Sequence, residues 1–312
     1  MSSMDSDISW QLLRGIVRDW AGASAELAEV SPLRGGAIHT VLLLTTSDGA
    51  KAVLKITPHR VDRAYQDEAY QLNLLRSLGL PTPEVYACHL GMLDTPHSYL
   101  LLQFLPGVAF SEAKRQCSAE QFDHLQVDLA ACVLRMHAQK SSHYWRVTAD
   151  PLRHEHEHWP RFYREMYDPI WREVEKLADL PVKPKRLIAK IHDRLDDLLA
   201  HDDSPRLVHW DLWSGNVLAS PDGAGKWRIN AILDPNCKFA HAEAELAYLD
   251  LFHTTTPAFF RAYQQSGKLS ADYHRIRKLV YQLYPLIDDV TLHGPQYLKP
   301  LLTQLEKLAV LF

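Results

Sequence analysis

Between Leu207 and Leu218 the chain reads Leu-Val-His-Trp-Asp-Leu-Trp-Ser-Gly-Asn-Val-Leu. An apolar strand runs into His-x-Asp, four residues pass, and Asn216 opens a second apolar strand. Kinase-type catalytic loops use this spacing because one loop must deliver two oxygen-bearing groups. Asp211 is placed to meet an attacking hydroxyl, and the amide oxygen of Asn216 to reach a Mg²⁺ on the phosphates of ATP. Downstream, Ala231-Ile232-Leu233-Asp234-Pro235 ends another apolar strand in a carboxylate, a second candidate metal ligand. A hard dication takes oxygen donors, and Mg²⁺ takes few of them from protein. Taken singly, an Asp after a strand is commonly a turn residue. The ordered set is what points to phosphoryl transfer.

The first third of the chain supplies matching parts. Lys55 stands alone in the apolar run Ala52-Val53-Leu54-Lys55-Ile56, and Glu68 follows thirteen residues later inside a predicted helix. That spacing suits a phosphate-binding ammonium oriented by a carboxylate. Gly35 and Gly36, in Arg34-Gly35-Gly36-Ala37-Ile38-His39, let backbone N–H groups approach a phosphate. Gln103 and Leu105, just before Pro106-Gly107, fall where an adenine would meet the backbone.

These residues need elements to hold them. Apolar positions at helical spacing predict an opening helix over 8–29. Two β-rich runs, 40–46 and 52–56, are joined by Ser47-Asp48-Gly49 as a hairpin. A helix is expected over 62–78, stopped by Gly79 and the prolines beyond it, followed by strands at 84–90 and 99–104. From 118 the pattern is helical, interrupted by short strands at 207–209, 217–219 and 227–233. A β-rich start and a helical remainder predict two lobes, 1–105 with the nucleotide-binding sheet and 106–312 with the catalytic loop and acceptor site.

The whole chain has 312 residues, a net charge of −4 and 46% apolar residues. That balance is of an ordinary globular protein and lacks the basic run of a nucleic-acid binder. Cys88, Cys117, Cys132 and Cys237 are scattered, without metal or disulfide spacing, which fits a reducing compartment. No apolar run reaches the roughly 20 residues of a membrane span. A polar, acidic start is unlike a secretory signal, so the expected location is the cytoplasm. His154-Glu155-His156-Glu157-His158 looks like a metal tract, but its alternation fits neither a helical HExxH pair nor a closed zinc site, and it reads as a solvated segment. Trp145, Trp159, Phe162 and Tyr163 read as core, and His137 as a satisfied helix histidine.

The stretch Leu207–Asn216 resembles the ketosamine/fructosamine kinase family, a branch of the aminoglycoside phosphotransferase and choline kinase superfamily. Asp-Leu-Trp-Ser-Gly-Asn is typical of that branch, and Asp234-Pro235 resembles its metal site. His241–Ala247, Phe259–Tyr263 and Arg277–Tyr284 resemble further family elements, so the similarity runs from about 31 to 300. The resemblance implies an α+β, protein-kinase-like fold with a five-stranded N-lobe and a helical C-lobe. It implies phosphorylation of a sugar hydroxyl on ketoamine adducts, with ATP and Mg²⁺. By motif position Asp211 is then the catalytic base, Asn216 and Asp234 hold metal, Lys55 meets the phosphates and Glu68 holds Lys55. Trp213, Asp288 and Asp289 are assigned to the acceptor side.

Several positions depart from the family. Trp210 replaces a Gly, Ala240 replaces a Gly, Leu251-Phe252-His253-Thr254 replaces Leu-Phe-Gly-Gly, and Tyr284–Asp289 lacks the family's His and Asn-His. Ala37 stands for a Cys found in many members, so no redox switch is expected there. These departures leave other acceptors open, such as choline, an aminoglycoside or homoserine, and a third reading as a catalytically inactive binding module. Partners are small molecules, with neither nucleic acid nor membrane expected.

Overall fold

The computed structural model describes residues 8–33, 40–57, 62–92 and 97–312. Gly35 and Gly36 lie outside the described residues. The chain forms two compact units: one from Met1–Gly107 with Thr148–Pro151 and Asn230–Asp234, the other from Val108–Val147, Leu152–Ile229 and Pro235–Phe312.

The first unit is built on an antiparallel sheet of β1 (Leu27–Pro32), β2 (Thr40–Thr46), β3 (Lys51–Thr57), β4 (Val85–His89) and β5 (Ser98–Gln103), in the order β1-β2-β3-β5-β4. Helices α1 (Trp10–Ala21) and α2 (Ala64–Ser77) complete it. Alternation along β3 sorts its side chains between two faces. Leu54 and Ile56 join Leu13, Ile16 and Val17 of α1 in one core cluster, while Val53 packs with Tyr65, Ala69 and Leu72 of α2 in another. Lys55 shares the parity of Val53, so it faces α2.

The opening helix is shorter than its apolar spacing predicts. Ser9 caps its start by accepting the Leu12 N–H, and it ends where Gly22 adopts φ +106°. Residues 27–32 pair with β2 instead. The helix predicted over 62–78 is α2, closed by Gly79 at φ +75°, a left-handed position that glycine takes without steric cost.

The second unit contains β6 (Val108–Ala109), α3 (Phe110–Gln116), α4 (Ala119–His137), β7 (Trp145–Arg146), α5 (Trp159–Val174), α6 (Val182–Asp193) and α7 (Leu195–Leu198). Then follow β8 (Arg206–Val208), β9 (Val217–Pro221), β10 (Trp227–Ile232, whose last three residues belong to the first unit), β11 (Lys238–Ala240) and α8 (Ala242–Leu251). The chain ends in α9 (Pro257–Tyr263), a π-helical turn (Tyr273–Arg277), α10 (Lys278–Tyr281), α11 (Leu283–His293), a 3₁₀ turn (Pro295–Tyr297) and α12 (Leu298–Ala309). Its strands form two small sheets, β10-β9-β6 and β7-β11-β8. The loop 209–216 therefore leaves one sheet at β8 and enters the other at β9. Trp145, Trp159, Phe162 and Tyr163 are all buried, as the sequence reading expects. Among the described residues no helix is long and apolar enough to cross a membrane, and all four cysteines are free.

Candidate active site

In the first unit, Lys55 Nζ donates to Glu68 Oε1 at 2.6 Å and also to the Asp234 carboxylate. The Lys55 and Glu68 side chains are only 13% and 14% exposed, whereas Asp234 is 43% exposed. Burial alone would press Lys55 toward neutrality, but the charges of Glu68 and Asp234 outweigh it and raise its pKa. Burial pushes Glu68 upward, and the ammonium beside it opposes the shift. A buried cation is thus held charged between two carboxylates, one enclosed and one open. Asp234 reaches this position with φ +53°, in the left-handed region. The strand carrying it is tied down where Ile232 N–H donates to Pro81 O at 2.7 Å.

In the second unit, the loop between β8 and β9 is organised around Asp211. Tyr248 Oη donates to Asp211 Oδ1 at 2.6 Å, and Asn216 Nδ2 donates to Asp211 Oδ2 at 3.1 Å and to its carbonyl at 2.9 Å. Burial first, then the Asp211 charge, raises the Tyr248 pKa, so its hydroxyl keeps the proton it donates. With its nitrogen engaged, Asn216 leaves Oδ1 as an acceptor for a cation. Asp211 and Asn216 are therefore brought together, as their spacing predicts.

The loop itself hangs on Glu245, which is 1% exposed. Its Oε1 accepts the backbone N–H groups of His209 at 2.6 Å and Trp210 at 3.0 Å, and its Oε2 pairs with His137 Nε2 at 2.8 Å. His137 Nδ1 in turn meets Tyr263 Oη at 2.9 Å, so His137 is the satisfied helix histidine expected. Burial pushes Glu245 upward, but the His137 hydrogen bond and charge outweigh it and its pKa falls.

Other anticipated residues are placed as follows. Trp213 is exposed, and its indole lies over Gly215, where any Cβ would collide with the ring. Gln103 N–H donates to Glu84 O at 2.8 Å and its side chain accepts the Glu84 N–H at 3.3 Å, which fixes the end of β5. Among the described residues nothing hydrogen-bonds the N–H or C=O of Leu105. Asp288 and Asp289 lie on α11, and burial raises both pKa values. Asp289 lines a cavity of about 490 Å³ with Asp250, Phe252, His253, Lys299 and Lys307; Asp288 does not.

Sequence reasoning missed Tyr248 and the anchoring role of Glu245. A signal existed, because both lie on one helix three residues apart and so share a face. Nothing local, however, ties that face to a loop some thirty-five residues earlier.

Comparison with known proteins gives this geometry its family. The family model for fructosamine kinase matches residues 9–310. Probable ketoamine kinase YniA of Escherichia coli (strain K12) is 27% identical over 297 residues, covering 93% of this chain and 95% of that protein. A crystal structure from Thermobifida fusca YX-ER1 superposes with a TM-score of 0.72 at 24% identity, covering 96% of this chain and 98% of the other. A thermostable mutant of aminoglycoside phosphotransferase APH(4)-Ia, in ternary complex with AMP-PNP and hygromycin B, gives a TM-score of 0.63 at 17% identity, covering 94% of this chain and 95% of the other. The shared fold is protein-kinase-like, and the match over nearly its whole length means that the chain belongs to the fructosamine kinase family.

Proposed function

We propose that this protein transfers the γ-phosphate of ATP to a sugar hydroxyl of a ketosamine, an adduct of the fructosamine type, in a Mg²⁺-dependent reaction. The observation that carries the reading is the Asp211 carboxylate held at both oxygens, by Tyr248 and Asn216, on a loop pinned by Glu245. A carboxylate so oriented accepts the proton of an attacking hydroxyl as its oxygen bonds to phosphorus and the ADP oxygen leaves. The family match and the ketoamine kinase relatives support the acceptor class, and the AMP-PNP in a structure of like fold supports ATP as donor.

Asn216 Oδ1 and the open carboxylate of Asp234 are oxygen donors of the type Mg²⁺ selects, so the residues fit that ion. Mg²⁺ held by donors of this kind would neutralise charge on the phosphates. Lys55 supplies a cation for the same phosphates. Its two carboxylates are unequally exposed, so Lys55 would keep the enclosed Glu68 while the open Asp234 would be available to a metal ion. Leu105, with backbone groups unpaired among the described residues, is assigned to the adenine. The free cysteines are consistent with a cytoplasmic location.

Phosphorus NMR with ATP, Mg²⁺ and fructosyl-lysine, beside choline, an aminoglycoside and homoserine, tests the assignment. A new phosphomonoester signal that forms fastest with fructosyl-lysine is expected. A clear preference for a non-glycated acceptor would overturn the acceptor, and no transfer to any would overturn the reaction.

A further inference from the structure

The run 154–158, which reads from sequence as a solvated segment, is drawn onto a helix. Tyr144 and His156 exchange backbone N–H and C=O bonds, both at 2.9 Å, so the chain is extended here. Residues two apart on an extended chain share a side, and His154 and His156 both turn to Glu165 of α5. His154 Nδ1 lies 3.0 Å and His156 Nε2 2.8 Å from the same oxygen, Glu165 Oε2. The two rings meet edge to face, 4.5 Å apart at 77°, so their in-plane lone pairs can converge on one point.

The support around this cluster is built in. His156 is 14% exposed and its ring rests against Phe162, 5.4 Å away, on the helix turn before Glu165. Arg146 Nε takes the other carboxylate oxygen, Oε1, at 3.4 Å and leaves Oε2 to the histidines. His154 is 79% exposed and free to adjust.

We propose that His154 Nδ1, His156 Nε2 and Glu165 Oε2 form a site for a divalent transition-metal ion, with Zn²⁺ the best match and solvent at the fourth position. The three donor atoms lie within 4.8 Å of one another, and small side-chain rotations bring them to the ~2.0–2.2 Å bonds of zinc. Two imidazoles and one carboxylate form a zinc-type set, and Cu²⁺ or Ni²⁺ would compete by intrinsic affinity. Mg²⁺ and Ca²⁺, which want oxygen donors, would not. The bound ion clamps the 152–158 segment to α5, replacing hydrogen bonds with coordinate bonds.

A second cluster, His201, Asp203 and His241, brings its donor atoms equally close but differs in the orientation of its rings. Its two imidazoles stack face to face at 3.5 Å and 17°, so their lone pairs lie in near-parallel planes that do not meet at one point, and His241 already pairs with Tyr281 Oη at 2.7 Å and Asp203 Oδ2 at 3.3 Å. It serves as an internal control.

The test is a Co²⁺ titration of the untagged full chain in excess Mg²⁺, followed by visible d–d absorption, with Zn²⁺ as competitor. One Co²⁺ per chain, displaced by Zn²⁺, is expected in the native protein and in His201→Ala. His154→Ala and Glu165→Gln should each weaken binding roughly tenfold or more, since even supporting groups have effects of that size. No uptake by the native protein, uptake with unchanged affinity after either substitution, or loss in His201→Ala would overturn the site. If Glu165→Gln fails to fold by circular dichroism, the exposed His154→Ala decides alone.

Discussion

At φ +70°, Trp210 holds its backbone in the left-handed region between His209 and Asp211. A residue with a Cβ is disfavoured there by roughly 1–2 kcal/mol, a cost that Gly would not carry. The conformation persists because neighbours over-determine it. Glu245 takes the Trp210 N–H, Lys238 Nζ lies 4.8 Å from the indole centroid, and Tyr284 and Trp159 approach the ring at 6.4 Å each. Lys238 is itself 1% exposed; burial, then Arg146, sets its pKa well below the usual lysine range, and its Nζ donates to Asn236 O at 2.8 Å. A clean test compares two truncations that both remove the indole. Trp210→Ala should be less stable than Trp210→Gly by about 1 kcal/mol, because the left-handed cost exceeds the entropic advantage of Ala in the unfolded chain. Urea denaturation showing Ala equal or more stable would exclude the left-handed backbone.

At the scale of elements, α8 is the frame on which the loop is hung, with Glu245 and Tyr248 on one face. Glu245→Ala would leave the buried His209 N–H, the partly buried Trp210 N–H and the buried His137 without their acceptor. Unsatisfied buried donors cost about 1–3 kcal/mol each, so a loss of about 3 kcal/mol is expected, with turnover falling as Asp211 loses its fixed position. Thermal melts and kcat measured on the same sample check this; unchanged stability would mean that the loop is held by something else. The Lys55–Glu68 pair was legible beforehand because it depends on one strand, one helix and a count of thirteen residues. The loop anchor was not, since its acceptor belongs to a helix that only tertiary packing brings there. The strand pairings of β6, β7 and β11 were hidden for the same reason: two or three residues carry no periodicity. The helix expected to reach residue 29 stops at Ala21 because Gly22 turns the chain, and the apolar spacing beyond it served β1. The 154–158 segment is exposed apart from the partly buried His156, and what the sequence hid was Glu165 as the partner that both histidines share.

Over the whole molecule, texture foretold a β-rich start followed by helices, while the fifth strand of the first sheet came only with the family resemblance. They did not foretell that 148–151 and 230–234 return to the first unit. The second of these segments ends in Asp234, which explains how a residue so late in sequence meets Lys55. The account as a whole rests on Asp211 acting on the acceptor hydroxyl, with the nucleotide bound by other groups. The most direct measurement pairs steady-state turnover with Mg²⁺–ATP affinity in Asp211→Asn. A positioned general base contributes about 10²–10⁴ in rate, so kcat should fall by at least about a hundredfold while nucleotide affinity stays near that of the native protein. Turnover at the native rate in this variant would contradict the role given to Asp211.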